Sequence, residues 1–316
     1  MAREHIIDPD RIHHHWDSSL PPTLRIDSGD IVSFGLAMAG RGQVEEGADY
    51  SQTAFDWDTL YNLLGPIYVD GAAPGDTLEV ELLSLAPGPW GWTAILPELG
   101  LLPDDFPSPV VRTFDLRDGT HVQVAPGVKV PIEPFLGTLG THPGEPGTAP
   151  PFPPHRGGGN IDNRHLVEGT TAWFPVWCEG ALFSCGDPHA AQGDGEVCVS
   201  AVECDMRATI RLSLHRHTIP APYYDVHAGR RDRNASGYIG TMGIDADLMQ
   251  GARLAVRAMI ERLQREHALG REDAYLLSSL AGDLHIHEIV DAGVWNVGFT
   301  IPREVFDPHG PASTRR

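Results

Sequence analysis

The sequence of 316 residues predicts an α+β protein dominated by β-structure, with a β-sandwich or barrel-like core of short strands and a C-terminal layer containing two helices. Its 35 glycines and 27 prolines are spread without a fixed period, which indicates many turns between short strands. Apolar and polar residues alternate in several segments, as in strands with one buried face. The period changes to the three- and four-residue steps of a helix only near residue 245.

The first part of the chain is predicted to form a β-rich N-terminal subdomain over residues 1–142. Its clearest strand is 76–82, where apolar residues alternate with polar ones directly after a Pro-Gly turn. Six prolines in the segment 143–157 exclude a helix or a central strand there. We therefore expect this segment to connect the first subdomain to a second one over 158–308.

The second subdomain is predicted to be β-rich as well and to carry the helices. Its strand candidates are 172–177, 196–204, 208–214, 284–290 and 294–301. A helix near 246–269 is expected to start after the N-cap residue Asp245 and to stop at Gly270. A second short helix is predicted over 272–280, and the tail 309–316 should be frayed.

The charge and the cysteines narrow the class of protein. The chain has 23 Lys+Arg against 43 Asp+Glu, a net charge of −20, which argues against nucleic acid or an anionic membrane as a partner. An apolar run of about 18 residues is absent from the sequence, and so is the apolar core of a signal peptide. Four cysteines do not make a disulfide framework in a chain of this length. We therefore expect a cytoplasmic protein.

The densest group of chemically useful side chains lies in the segment 184–196. Asp187 and His189 are separated by one residue, so an extended backbone places both side chains on one side, where they can share a metal ion. A glycine-rich turn with solvated acids is the alternative, and the EF-hand calcium template does not match. Glu196 and Glu203 bracket the next predicted strand, and their odd separation predicts that at most one of them faces the site.

A second candidate segment follows the Pro-rich connection. Three glycines precede Asn160 and Asp162, which an extended backbone places on one side of the chain. The glycines would allow the backbone to approach a ligand closely, whereas a loop without function is the alternative. The Gly-Lys-Ser/Thr ending of a phosphate-binding loop is absent from this segment.

Histidines occur in two further groups. His15 is one of three adjacent histidines near the N-terminus, and one of these can line a pocket together with Trp16 or be exposed. His285 and His287 belong to a predicted strand, and we expect them on its outer face rather than as metal ligands.

Four segments of the chain resemble the acetamidase/formamidase family. They are 159–166, 183–198, 65–76 and the stretch from His15-Trp16-Asp17 to Ser28-Gly29-Asp30. The string Gly-Asp-x-His-Ala-Ala-Gln-Gly-Asp-Gly-Glu at 186–196 makes the resemblance specific, and the correspondence runs in order from about residue 11 to residue 306.

The resemblance implies a metal-dependent hydrolase of small aliphatic amides, which releases ammonia and a carboxylate. It implies metal ligands at Asp187 and His189, with Asp162 contributed by the glycine-rich loop. Glu203 is then expected to take a proton from the attacking water, with Glu196 as the alternative base. One imidazole among carboxylates favours zinc over calcium. The expected partner is a small amide, and we expect a homo-oligomer.

Substrate contacts follow from the same segments. The residues expected at the substrate are His15, Trp16, Asn62, Asn160 and Gln192. Asn62 stands where many relatives carry a histidine, which bears on substrate identity and on activity. Together with the aromatic residues near the motifs, it predicts a substrate that is larger than formamide or differently hydrogen-bonded. Two rival functions stay open: a non-catalytic metal- or ligand-binding β-protein, and a metal-independent amidase with Cys185 as its nucleophile.

Overall fold

The computed structural model describes residues 2–47, 55–125, 128–227, 237–271, 274, 277–278 and 281–306. The strands in this part of the chain are β1 (Glu4–Ile7), β2 (Ile12–His13), β3 (Trp16–Asp17), β4 (Leu24–Ile26), β5 (Asp30–Leu36), β6 (Leu63–Val69), β7 (Thr77–Ile95), β8 (Val110–Asp115), β9 (His121–Ala125), β10 (Val128–Pro131), β11 (Phe135–Gly140), β12 (Thr148–Ala149), β13 (Pro154–His155), β14 (Gly158–Asn160), β15 (Thr171–Pro175), β16 (Phe183–His189), β17 (Glu203–His215), β18 (Tyr223–His227), β19 (Gly237–Asp245), β20 (Asp283–Glu288) and β21 (Trp295–Pro302). Helix α1 is Leu248–His267, and a 3₁₀-helix covers Arg303–Val305.

A single large sheet dominates the fold. Among the described residues it gathers seventeen strands, while β9 with β10 and β3 with β12 form two separate pairs. Its longest ladder joins β7 to β17 in antiparallel register, from Glu203 opposite Trp92 to His215 opposite Thr77. β17 also pairs with β5, and β7 with β15. The predicted dominance of β-structure is confirmed.

Strand β17 illustrates how the sequence pattern produces the sheet. Ala208, Ile210 and Leu212 are buried in the main core, whereas Thr209 and Arg211 on the opposite face are half-buried. This alternation matches the period of two in the sequence, because successive side chains of a strand point to opposite faces. The predicted strand 208–214 is therefore confirmed as part of β17.

Strands from both sides of the Pro-rich connection 143–157 pair with one another. β16 lies against β6 on one side and β11 on the other, and β17 lies against β5. The first and second parts of the chain thus contribute to the same sheet and the same main core. The division into subdomains at this connection stays a prediction.

Helix α1 covers one end of the sheet, as the sequence predicts. Ala255, Met259 and Leu263 are buried against β19 and β21, where Phe299 and Ile301 complete a smaller core. Among the described residues, this helix and the 3₁₀-helix do not provide a segment long and apolar enough to span a membrane.

The ends of α1 differ by a few residues from those predicted. The N-cap is Asp247, whose side chain accepts a hydrogen bond from the Gln250 amide, and Asp245 instead accepts one from the Asp247 amide. The helix ends at His267, and Ala268 takes a left-handed conformation two residues before Gly270. Most of the predicted helix 272–280 and all of the tail 309–316 lie outside the described residues.

The predicted strand 196–204 is wrong, because the strand begins only at Glu203. The residues before it form a turn in which Glu196 and Val199 have left-handed φ angles of 44° and 65°. The Val199 amide donates to the Glu196 carbonyl at 2.8 Å, which closes this turn. An apolar run of this length reads as a strand, but its backbone hydrogen bonds close a turn instead.

Candidate functional site

Five carboxylates and one imidazole meet in the protein interior. This carboxylate cluster consists of Asp162, Asp187, His189, Glu196, Glu203 and Asp291, and each residue is at most 8% exposed. Two sets of three side chains share His189, one with Asp162 and Glu196 and the other with Asp187 and Glu203. Within each set the ligand atoms lie within 4.8 Å of one another. The structure thus brings together all the predicted metal ligands and both candidate bases.

The β16 strand supplies the centre of the cluster. Asp187 Oδ1 lies 3.3 Å from His189 Nε2, which confirms that the two side chains predicted to share one side do meet. The first residue of β17, Glu203, lies opposite His189 in the ladder and places Oε2 3.2 Å from the same nitrogen. Glu196 reaches the cluster from the turn before β17, so the expectation that only one of the two glutamates faces the site is wrong.

Gly137 of β11 positions Asp162 and leaves room for the cluster. Its carbonyl accepts the amides of Ile161 and Asp162 at 3.1 Å each. A Cβ atom at Gly137 would lie 2.5 Å from Asp162 Oδ1 and 2.6 Å from Asp187 Oδ2, so a larger residue would displace the carboxylates. The sequence reasoning missed this residue, although a glycine inside an apolar strand is a known sign of close approach.

Gln192 fixes the orientation of His189. Its Oε1 lies 3.0 Å from His189 Nδ1, and its Nε2 donates to the Asp162 carbonyl at 3.0 Å. Because an amide oxygen only accepts, Nδ1 carries the hydrogen, and Nε2 faces Asp187 and Glu203. Gln192 therefore acts in this structure as a positioning residue, and its expected contact with substrate stays a prediction.

The end of β20 brings two further acids that the sequence reasoning missed. Asp291 accepts a hydrogen bond of 2.5 Å from Asn160 Nδ2, which places the predicted substrate residue Asn160 against the cluster. Glu288 is fully buried beside it and accepts the amides of Val290 and Asp291. In the sequence, Glu288 and Asp291 flank the apolar residues Ile289 and Val290. Such an apolar pair is unusual where a strand ends in water, so it could have indicated that the two acids are buried.

Burial of so many carboxylates perturbs their protonation. Burial is the main cause that raises the pKa of Asp162 and Glu196 well above the usual range, and neighbouring carboxylates raise it further. Burial likewise raises the pKa of Asp291 to about 7 and, with the repulsion of Asp291, that of Glu288 to about 9. Burial lowers the pKa of His189, but Glu203 and Asp187 outweigh it and raise that pKa well above its usual value.

A divalent cation fits this donor set. Both side-chain oxygens of Asp162 and Oε2 of Glu203 are buried without a hydrogen-bond partner. Within the described part of the chain, no lysine or arginine forms a salt bridge with the five carboxylates. Buried charges of one sign are costly unless they are paired or coordinate a metal. Carboxylate oxygens and an imidazole nitrogen are ligands that such an ion accepts.

The stability of metal-depleted protein should therefore fall as the pH rises. Asp291 and Glu288 have folded-state pKa values above those of the unfolded chain, so their stabilising contribution is complete below about pH 4. That contribution is lost as the pH rises through about 7 and then about 9. We expect the free energy of unfolding of chelator-treated protein to drop by about 5 kcal/mol between pH 6 and pH 9, measured by urea denaturation. A flat or rising profile over this range would contradict the assignment.

An apolar cavity of about 310 Å³ opens onto the cluster. Asp187, Glu203 and Asp291 contribute to its lining. Its walls are largely aromatic and aliphatic, formed by Trp57, Leu60, Tyr61, Trp92, Leu96, Leu99 and Phe152. A larger groove of about 580 Å³ runs along α1 and is lined by none of the cluster residues. The smaller cavity is therefore the candidate site, since it combines apolar walls with a few convergent polar groups.

Tyr61 adds a polar group to the cavity wall. Burial, and then the charges of Asp187 and Asp291, raise the pKa of its phenol well above 10. The hydroxyl therefore stays protonated and can donate a hydrogen bond, and Phe152 packs edge-on against the ring at 4.6 Å. Tyr61 is not among the residues that the sequence predicts at the site.

Three of the residues expected at the substrate lie elsewhere. His15 is exposed, and Trp16 is buried edge-on against His155 at 4.7 Å. Asn62 is buried and donates to the Met38 carbonyl at 3.1 Å. These three residues lie outside the lining of the cavity, so their contact with substrate stays a prediction.

Cys185, the alternative nucleophile, lies in the main hydrophobic core. Its side chain is fully buried on β16, and burial raises the pKa of its thiol strongly. Nucleophilic attack needs the thiolate and access to the substrate, and this environment disfavours both.

Three relatives illustrate what this chain is similar to. The acetamidase of Mycolicibacterium smegmatis is 26% identical over 58% of this chain and 61% of its own length, so the chain spans about three fifths of that relative. The formamidase of Methylophilus methylotrophus is 24% identical over 94% of this chain and 90% of its own. The crystal structure of an acetamidase from Bacillus halodurans superposes with a TM-score of 0.86 at 29% identity, covering 96% of this chain and 99% of that one.

A family model covers nearly the whole chain. The model of the acetamidase/formamidase family matches residues 2–146 and 145–308, which include every residue of the carboxylate cluster. Two of the segments that resemble this family, 159–166 and 183–198, supply residues of the buried carboxylate cluster. The chain belongs to the acetamidase/formamidase family.

Proposed function

We propose that this protein is a metal-dependent hydrolase that cleaves small linear carboxamides to a carboxylate and ammonia. The observation that carries the proposal is the carboxylate cluster at the floor of an aromatic cavity. The names of the relatives, acetamidase and formamidase, support amide hydrolysis as the reaction class.

Asp162, Asp187 and His189 would hold the divalent ion. The imidazole nitrogen distinguishes this donor set from an all-oxygen calcium site, so we propose zinc. Such an ion, when bound, supplies Lewis acidity that activates water and polarises a carbonyl group.

Glu203 would manage the protons of the reaction. Its Oε1 is anchored by the Ala201 amide at 3.0 Å, which leaves Oε2 directed into the cluster. Oε2 takes a proton from the attacking water as the new C–O bond forms, and it gives that proton to the amide nitrogen as the C–N bond breaks. Burial raises the pKa of Glu203, which suits it to exchange protons near neutrality. Glu196 is the alternative base, and the Tyr61 hydroxyl can donate to a substrate oxygen in the cavity.

The direct test combines elemental analysis of the purified protein with an ammonia-release assay before and after chelation. We expect stoichiometric zinc, ammonia release, and loss of both after chelation with recovery on adding zinc. Stoichiometric metal without ammonia release would favour the non-catalytic binding protein. Inactivation by a thiol reagent and by Cys185→Ser, without an effect of chelator, would favour the cysteine mechanism.

The size and polarity of the cavity predict substrate preference. A volume of about 310 Å³ with apolar walls exceeds what formamide fills, and an apolar acyl group would bury more surface there. We expect kcat/KM for an amide with a branched or aromatic acyl group to exceed that for formamide by about 10-fold or more. The measurement is ammonia release over a panel of amides of increasing acyl size. If formamide is the best substrate, this prediction is wrong.

Two broader expectations also stay proposals. These are a cytoplasmic location and assembly into a homo-oligomer. Fractionation and the solution mass of the purified protein would test them.

A further inference from the structure

A second group of metal-binding side chains lies beside the carboxylate cluster and takes no part in the proposed reaction. This histidine cluster consists of His165, Asp194, His285 and His287. His165 Nε2 and His287 Nδ1 lie 3.5 and 3.6 Å from Asp194 Oδ1, and His285 Nδ1 lies 3.8 Å from Asp194 Oδ2. Three imidazole nitrogens therefore converge on one carboxylate.

These separations suit a shared ion better than direct hydrogen bonds. An N–H···O hydrogen bond spans about 2.7–3.2 Å between heavy atoms, which is shorter than all three distances. Two ligand atoms of a tetrahedral zinc site, each about 2.0–2.1 Å from the ion, lie about 3.4 Å apart. The ligand atoms of His165, Asp194 and His285 also lie within 4.8 Å of one another, and His287 Nδ1 joins this group through Asp194 Oδ1.

Each imidazole is oriented by a hydroxyl group on its far side. The three pairs are His165 Nδ1 with the Tyr238 hydroxyl at 2.7 Å, His285 Nε2 with Thr300 Oγ1 at 3.0 Å and His287 Nε2 with the Tyr224 hydroxyl at 3.2 Å. Metal-binding histidines characteristically use their second nitrogen in this way, which fixes the ring and the tautomer. The arrangement thus directs the other nitrogen of each ring towards Asp194.

His287 provides an independent indication of a ligand. The sequence predicts it on an outer strand face, but the structure buries it completely, and its Nδ1 has no hydrogen-bond partner. The facing Gly298 makes this possible, because a Cβ atom there would overlap the imidazole ring. An unpaired imidazole nitrogen in the interior is costly unless something binds it.

We propose that His165, Asp194, His285 and His287 bind a second divalent ion of the zinc type. Three nitrogens and one oxygen complete a tetrahedral shell and leave no open position, which is the pattern of a structural site. The ion would tie the loop after β16 to β20, where the Gly195 amide already donates to the His287 carbonyl at 3.0 Å.

Such an ion would act on the carboxylate cluster through the backbone. Glu196 follows Asp194 by two residues, and Asp291 follows His287 by four, so the same two segments carry residues of both clusters. The histidine cluster is therefore a positioning site for the neighbouring carboxylates, and its residues are not placed in contact with substrate.

Cobalt substitution tests the proposal on the full chain. Protein stripped with dipicolinic acid is reloaded with Co²⁺, and bound metal per chain and the visible absorption of tetrahedral cobalt are measured. We expect His285→Ala to bind one equivalent less than wild type and to lose the part of the tetrahedral absorption that the histidine cluster contributes. The exposed His121→Ala serves as the control and should match wild type in both measurements.

A second variant separates this site from the proposed active site. His189→Ala should keep the tetrahedral cobalt absorption, and zinc should raise the melting temperature of the stripped variant by several degrees. Asp194→Asn keeps the size of the side chain and replaces His285→Ala if that variant fails to fold. It should lose the cobalt absorption of the histidine cluster and the equivalent of metal that this cluster binds. Equal metal content and identical cobalt spectra in wild type and the Asp194→Asn or His285→Ala variant would overturn the proposal. If the carboxylate cluster binds no metal, wild type should still hold the one equivalent that His285→Ala lacks.

Discussion

A His189→Ala variant is expected to lose its bound catalytic metal and its ammonia-releasing activity together, with kcat/KM lower by about 10³-fold or more. His189 is the one imidazole among five buried carboxylates, and its Nε2 lies within 3.3 Å of both Asp187 and Glu203. Its removal takes away the nitrogen ligand and the only group of the cluster that can carry a positive charge. Elemental analysis and the ammonia assay on the same preparation measure both losses.

The control for this variant is His215→Ala. His215 is partly exposed and pairs with Glu79 on the outer side of the sheet, so its loss should leave metal content and activity unchanged. The circular dichroism of His189→Ala should match wild type, because the surrounding strands keep their backbone pairing. A variant that retains the full metal content of wild type would remove His189 from the ligand set.

Local patterns in the sequence predicted the features that depend on local geometry. The one-residue spacing of Asp187 and His189 predicts that they lie together, and both do belong to β16, although Asp187 has a left-handed φ of 54° rather than an extended backbone. The helical spacing of Met259 and Leu263 sufficed for α1. In the helix the backbone period alone determines which side chains share a face.

The features that the sequence analysis missed depend on contacts distant along the chain. Asp291 meets Asp162 only because the end of β20 folds back across the sheet, more than 100 residues after the glycine-rich loop. Apolar neighbours predict a strand at Glu196, but the local Val199–Glu196 hydrogen bond closes a turn there, and the bond from the Gly195 amide to the distant His287 carbonyl holds the preceding residue. His287 was expected outside because alternation alone cannot tell which face of a strand is covered.

A Glu203→Gln variant should keep its fold and its metal while kcat falls by about 10²-fold or more. Glutamine preserves the shape of the side chain and can still accept the Ala201 amide, but it lacks the basic oxygen that exchanges protons. The loss should appear in kcat rather than in KM, because the proton transfer occurs only in the reaction step. Steady-state ammonia release at saturating amide measures the change.

Thermal unfolding distinguishes this chemical role from a structural one. Glu203 is one of five buried carboxylates, so its replacement by a neutral amide removes repulsion, and metal-depleted Glu203→Gln should melt no lower than metal-depleted wild type. Glu81→Gln is the matched control, since Glu81 is a half-buried strand glutamate paired with Arg211 at 2.7 Å. It should retain wild-type kcat. If Glu203→Gln also retains wild-type kcat, the proton transfer passes to Glu196, whose carboxylate reaches the same imidazole from the turn before β17.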